Sequence, residues 1–225
     1  MKTKNDDQNG FRRRTVHNLM ILDESGSMQS IKSATIQGFN EVVQTVRGVE
    51  KQFPEQEHFI SLVTFNGLGI KTKLFAKKVK TLEELDESSY HPDSLTPLYD
   101  AIGFSVNKLR AALDGAENCS VLVTILTDGE ENASREFSGA EIKALVKELK
   151  KRGWTFTYIG ANHDVEKIAL SLSITNTLKF QATEQDVKRA FDDDRDARIA
   201  YCKSIRGGGP FQRDYFKKPE PRDPQ

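Results

Sequence analysis

At 225 residues with 37% hydrophobic side chains, the chain is long enough to bury one sizeable core, and the expected organisation is a single α/β domain with short tails. Its 33 basic and 33 acidic residues cancel, so no net field favours nucleic acid or anionic lipid, and binding has to come from a local site. No apolar run approaches the roughly 20 residues that span a bilayer, residues 1–10 lack the apolar stretch of a secretory signal, and Cys119 and Cys202 suggest neither a zinc spacing nor a disulfide framework, so a soluble cytoplasmic protein is expected.

Residues 16–22 (VHNLMIL) form an apolar run ending at Asp23, with the length and composition of a buried strand. Over residues 30–53, Ile36, Phe39, Val43 and Val46 recur at steps of three and four, one stripe of an amphipathic helix. Residues 59–65 (FISLVTF) predict a second strand. Asn66-Gly67 then leads into residues 70–79, where apolar and basic side chains mix as on an edge strand, so a hairpin is expected. A helix is predicted over 97–113, with Pro97 at its first position, Thr96 as N-cap, and Leu98, Ile102, Leu109 and Leu113 facing inward.

Residues 121–126 (VLVTIL) make the most continuous apolar run, which implies a central strand of a mostly parallel sheet, and Asp128 follows its end. Ser138 and Glu141 form a capping box before a helix whose stripe is Ile142, Leu145, Val146 and Leu149 and which ends at Gly153. A strand at 155–159, a short helix at 164–172, a strand at 177–180 and a last helix at 183–205 complete the series. In that helix Asp192, Asp193, Asp194 and Asp196, interleaved with Arg195 and Arg198, read as a solvated face with local ion pairs. Alternating strands and helices predict a doubly wound, mostly parallel sheet with one antiparallel edge strand and helices on both faces. The expected boundaries are a flexible segment at 1–14, the domain at 15–205 and a flexible tail at 206–225, in which Phe211, Tyr215 and Phe216 are candidate docking anchors.

Ligands bind such sheets outside the carboxyl ends of the strands, and three segments put oxygen donors there. The first is Asp23-Glu24-Ser25-Gly26-Ser27, where Gly26 is expected to permit a tight turn. The second is Thr96 and the third is Asp128, in Thr127-Asp128-Gly129. Taken singly, each has an ordinary explanation, as helix caps or a turn signal. Together, Asp23, Ser25, Ser27, Thr96 and Asp128 form a set of hard oxygen donors without His or Cys, which suits Mg²⁺, Mn²⁺ or Ca²⁺ rather than Zn²⁺ or Cu²⁺. Glu130, Glu131 and Asp93 read as charged rim. The pair His163 and Asp164 reads as helix capping by Asn162 or Asp164 in preference to catalysis.

The D-x-S-x-S stretch at 23–27, the T-x-L-Y-D-A stretch at 96–101 and Thr127-Asp128-Gly129 resemble von Willebrand factor type A domains in spacing and order over roughly residues 15–182. The cytoplasmic bacterial or phage type is the one indicated. The chain departs from the family in carrying Ser94-Leu95 where glycine often precedes the threonine. The resemblance implies a metal-ion-dependent adhesion site. Ser25, Ser27 and, in the ligand-ready state, Thr96 would contact the metal directly, while Asp23 and Asp128 would often act through water. It also implies that metal geometry is coupled to the last helix. The function expected is a protein-binding module, not an enzyme, whose Mg²⁺ captures an Asp or Glu carboxylate of a partner protein. The alternatives are a Mg²⁺-dependent phosphoryl-transfer enzyme using Asp23, against which Ser25 stands where such enzymes carry a second carboxylate, and a structural scaffold without metal dependence.

Overall fold

The computed structural model describes residues 13–161, 164–206 and 214–216. Its elements run β1 (Arg14–Asp23), a 3-10 turn (Gly26–Ile31), α1 (Lys32–Gln52), β2 (Gln56–Asn66), β3 (Gly69–Lys78), a second 3-10 turn (Val79–Thr81), α2 (Leu98–Ala112), β4 (Cys119–Thr127), α3 (Gly139–Lys151), β5 (Thr155–Ala161), α4 (Val165–Ser171), β6 (Asn176–Phe180) and α5 (Glu184–Arg206). The strands form one sheet in the order β3-β2-β1-β4-β5-β6. Every neighbouring pair is parallel except β2 and β3, the predicted edge hairpin.

The two longest apolar runs sit at the centre, as two-sided burial requires. β1 is buried from Val16 to Asp23 and β4 from Ser120 to Thr127, so both faces of these strands need covering helices. On one face Leu19, Ile21, Val123 and Ile125 pack against α2, α3 and α4. On the other, Met20, Leu22 and Leu126 pack against the first 3-10 turn, α1 and α5. The stripe Ile36, Phe39, Val43 and Val46 is buried as its spacing predicts. α1 and α5 approach so closely that a Cβ on Gly38 would lie 2.0 Å from the Phe191 ring, so only glycine fits there.

Chain order reverses beside β1: β2 and β3 extend the sheet to one side, β4, β5 and β6 to the other. The loops after β1 and β4 therefore diverge over opposite faces, and a crevice opens between them at the carboxyl ends of these strands. Asp23 is the last residue of β1 and Thr127 the last of β4. That single topological fact brings residues 23–27 beside Asp128.

Three local expectations are corrected. Helix α2 begins at Leu98, with Pro97 at the cap position and no side-chain capping bond, because Ala101 N–H bonds to the Pro97 carbonyl while Leu98 N–H reaches back only to Thr96. Thr96 therefore lies outside the helix and is not its N-cap. Gly26 has no left-handed backbone; its N–H bonds to Ser94 O at 3.0 Å, tying the loop after β1 to the loop before α2. In α5 the solvated face holds for Asp192, Arg195 and Asp196, which form exposed ion pairs, but not for Asp194 and Arg198. Asp194 and Arg198 are 0% exposed and pair at 2.8 Å inside the domain.

Arg198 reaches from α5 to the sheet centre, donating to Asn18 Oδ1 on β1 at 2.9 Å and to Thr124 Oγ1 on β4 at 3.1 Å. Tyr215 closes this network by donating its hydroxyl to Asp194 Oδ1 at 3.0 Å. Of residues 206–225, expected as a tail, Tyr215 is thus buried and Phe216 packs beside it. Phe211 and residues 207–210 lie outside the described residues, as do residues 1–12. No helix among the described residues is long and apolar enough to cross a membrane.

Candidate metal centre

Asp23 leaves β1 fully buried, and its carboxylate is held from two sides. Oδ1 accepts from Ser25 N–H at 2.8 Å and Oδ2 accepts from Thr127 Oγ1 at 2.5 Å. The Asp23 carbonyl accepts the hydroxyl of Tyr90, itself fully buried. Burial pushes the Asp23 carboxyl up to about 6, the hydrogen bonds from Thr127 and Ser25 oppose this, and the nearby Asp128 carboxylate adds to it.

Ser25 stands at the head of the first 3-10 turn yet makes no side-chain capping bond. Its Oγ instead lies 3.2 Å from Ser27 Oγ, and Ser27 Oγ donates to Asp128 Oδ1 at 2.6 Å. Thr96 completes the group: a Cβ placed on Gly129 would lie 3.4 Å from Thr96 Oγ1 and 3.7 Å from Ser27 Oγ. All five residues predicted from the sequence thus converge on one crevice. The capping explanation fails for Ser25 and Thr96, whose hydroxyls face the cluster, leaving oxygen lone pairs available.

This donor set has the composition of a hard-cation site: two carboxylates, three hydroxyls, no sulfur and no imidazole. Asp23 itself presents an acidic oxygen in a buried setting where the charged group that most affects it is another carboxylate, Asp128, an arrangement that a cation would relieve. A divalent ion here would be held by Asp23, Ser25, Ser27, Thr96 and Asp128.

The loops carrying these residues are laced together by groups that sequence reading passed over. Glu24 is buried and accepts His91 N–H on Oε1 at 2.6 Å, while its backbone carbonyl accepts Asp93 N–H at 2.9 Å. Asn132 pairs with Thr96 in both directions, its Oδ1 accepting Thr96 N–H at 2.8 Å and its N–H donating to Thr96 O at 3.2 Å. Ser94, in the stretch before Thr96, has φ 66°, a left-handed conformation that costs a non-glycine residue about 1–2 kcal/mol.

Glu131 is not free rim charge. Its carboxylate accepts the N–H groups of Tyr99, Ala133 and Ser134, so it clamps the first turn of α2 to the loop after β4. Asp100 does the converse, accepting the N–H groups of Arg135, Glu136 and Phe137 at 2.8 to 2.9 Å. Glu130 and Asp93 are exposed, as rim residues should be. Asp164 caps α4 through Lys167 N–H, whereas Asn162 and His163 lie outside the described residues.

Comparison with known proteins agrees with the architecture. The model of the von Willebrand factor type A domain family matches residues 19–194. Among curated protein sequences none matches this chain. The pilus adhesin SpaC from Lactobacillus rhamnosus GG, in its open conformation, superposes with a TM-score of 0.57 at 15% identity, covering 83% of this chain and 30% of that one. Proximal thread matrix protein 1 from the mussel byssus, solved with a zinc-occupied MIDAS motif, superposes with a TM-score of 0.54 at 14% identity, covering 83% of this chain and 46% of that one. At these identities the likeness is one of fold, and this chain spans less than half of either solved chain.

Proposed function

Because the chain belongs to the von Willebrand factor type A domain family, we propose that it is a metal-dependent protein-binding module, in which Asp23, Ser25, Ser27, Thr96 and Asp128 hold a divalent cation that captures a carboxylate of a partner protein. The observation that carries this reading is the convergence of three hydroxyls, free of capping duty, with two carboxylates at the topological switch point of the sheet. The ion supplies a Lewis-acidic charge to which an incoming carboxylate can add.

The rest follows from this chain's own groups. Asp23 and Asp128 bring two formal negative charges, enough to neutralise a divalent ion once and no more. Ser25, Ser27 and Thr96 add oxygens without charge, so a third carboxylate meets an attraction that a fully anionic shell would have cancelled. Thr127 fixes the direction of the Asp23 carboxylate, and Asn132 fixes the Thr96 loop. Mg²⁺ is the ion proposed, with Mn²⁺ and Ca²⁺ as hard-ion substitutes; the zinc in the mussel byssus protein belongs to that protein.

Against phosphoryl transfer through Asp23 stands Ser25, two residues on, where enzymes of that type carry a second carboxylate. Isothermal calorimetry with Mg²⁺ tests the proposal. Heat from the wild type that disappears in Asp23→Ala is the expected result, and no heat, or equal heat from both, refutes it. Turnover of an aryl phosphate that is abolished in Asp23→Asn would establish the enzyme reading in its place.

A further inference from the structure

Beside the cluster the same loops form a groove of about 620 Å³, bounded by the turn joining β2 to β3, by Leu95 and Pro97, by the α2 residues Phe104 and Lys108, and by Ala133, Arg135 and Glu136. Three of its lining side chains are large, apolar and open to solvent: Leu68 is 70% exposed, Leu95 55% and Phe104 47%. Scattered apolar residues need no explanation, but three around one concavity next to a ligand site do.

The groove is also built closely. A Cβ on Gly67 would sit 2.4 Å from Ser94 Oγ and 2.9 Å from Leu95 N, so the hairpin turn packs directly on the loop that carries Thr96. Groove and cluster are thus continuous through residues 95–97.

The charges of the groove select among ligands. Asp100 contributes no open carboxylate, because both of its oxygens are occupied by backbone N–H groups. Lys108 is anchored by Thr72 Oγ1 at 3.1 Å and by the Phe75 ring at 4.8 Å, leaving further ammonium hydrogens for a ligand. Arg135 is exposed at the same wall. Two cations thus stand against one exposed carboxylate, Glu136.

We propose that this groove is the specificity subsite of the metal centre, and that it takes an extended segment of a partner protein in which the captured carboxylate is flanked by a bulky apolar side chain and then by a second acidic residue. The proposal rests on the metal-centre reading for the position of the first carboxylate. Leu68, Leu95 and Phe104 bury the apolar side chain, and Lys108 and Arg135 receive the second acid. The chain's zero net charge argues against an anionic membrane or a nucleic acid as occupant, since each demands a broad basic face.

The test uses the full chain in Mg²⁺ buffer against a display library of nine-residue segments with a fixed central aspartate and random flanks. Enriched segments are expected to carry Leu, Ile or Phe one or two positions from the aspartate and Asp or Glu one or two positions further along the same flank. Leu68→Ser and Phe104→Ser should each weaken the best synthetic segment by about tenfold, and Lys108→Ser by about threefold, with the Mg²⁺ calorimetric heat retained. Binding that requires Mg²⁺ but shows no flanking preference and ignores these variants overturns the groove and leaves the metal centre standing. Binding lost in the groove variants but unchanged by chelator or by Asp23→Ala overturns the metal centre, and with it the groove's role as its subsite, and marks the groove as a peptide site of its own. Absence of any enrichment overturns the groove proposal.

Discussion

Ser27 and Asp128, 101 residues apart in the chain, are joined by a 2.6 Å hydrogen bond from the serine Oγ to the aspartate Oδ1. Ser27 is exposed, so this bond competes with water and contributes little to folding. Its place, between the loop after β1 and the loop after β4, is that of a ligand group. Ser27→Ala is therefore expected to change the unfolding free energy of the metal-free protein by less than about 1 kcal/mol while weakening Mg²⁺ binding about tenfold or more. Urea denaturation in chelator together with Mg²⁺ calorimetry checks both halves. A large stability loss with unchanged Mg²⁺ affinity contradicts the assignment.

Asp23 gives the opposite sign for stability. A carboxyl raised to about 6 in the folded chain stabilises the fold only while it can be protonated, and above that pH its buried charge costs up to about 3 kcal/mol. Asp23→Asn removes the charge and keeps Oδ1 for Ser25 N–H. Thr127 Oγ1 can then accept from the new amide, since its own hydrogen already has a second acceptor in Gly129 O at 3.1 Å. The metal-free variant should melt several degrees above wild type at pH 8 and show no upward shift with Mg²⁺, whereas wild type should rise by mass action. A variant that melts lower in chelator, or that still responds to Mg²⁺, rules this account out.

Much of the fold is legible in the sequence itself. Apolar runs placed β1 and β4 at the centre, and the Ser138–Glu141 capping box is present in full. Asp23, Ser25, Ser27 and Asp128 were legible because a strand end predicts where side chains emerge, whereas Thr96, which follows no strand end, was marked by its place before Pro97 and by the T-x-L-Y-D-A resemblance. What escaped were carboxylates whose partners are backbone N–H groups. Asp100 and Glu131 bond to loop amides whose directions no residue pattern encodes. Asp194 escaped for another reason: three neighbouring acids made it resemble a surface run. Yet Val187, Ala190, Asp194, Ala197, Arg198 and Tyr201 share the spacing of one buried stripe, and Asn18 inside an apolar strand was the matching signal of a polar partner within the core.

That buried network supports a sharp prediction. Removing one member of a buried pair leaves an uncompensated charge, which costs about 3–5 kcal/mol, whereas replacing both with apolar groups is often close to neutral. Arg198→Met should therefore destabilise strongly, and Arg198→Met combined with Asp194→Leu should recover most of the loss. Tyr215→Phe, which deletes only the hydroxyl at 3.0 Å from Asp194 Oδ1, should cost about 1–2 kcal/mol. Urea unfolding of wild type, Arg198→Met, Asp194→Leu and the double variant measures the coupling. Additive effects of the two core substitutions would mean that the pair is not acting as a unit.

Two buried histidines set the acid limit of the fold. His58 is 0% exposed, with Nε2 3.2 Å from Gln56 Oε1, and His17 stacks on Phe59 with ring centroids 4.9 Å apart. Burial lowers both to about 4 from the usual 6.5, with the charge of Arg198 adding to the effect at His58. The unfolded chain thus binds these two protons more readily than the folded one between about pH 6.5 and 4, so stability falls as pH falls through that window. Asp23 runs the other way, because its raised carboxyl takes up a proton near pH 6 in the folded state and not until 3.8 in the unfolded one. From pH 7 to 5 each histidine should remove about 2 kcal/mol and Asp23 should return about 1, a net loss of about 2 to 3 kcal/mol. Chelator-treated protein titrated with urea at both pH values measures this. His58→Gln should roughly halve the histidine contribution and Asp23→Asn should enlarge the net loss; equal stability of Asp23→Asn at pH 7 and pH 5 would show that the histidines are not held neutral by burial.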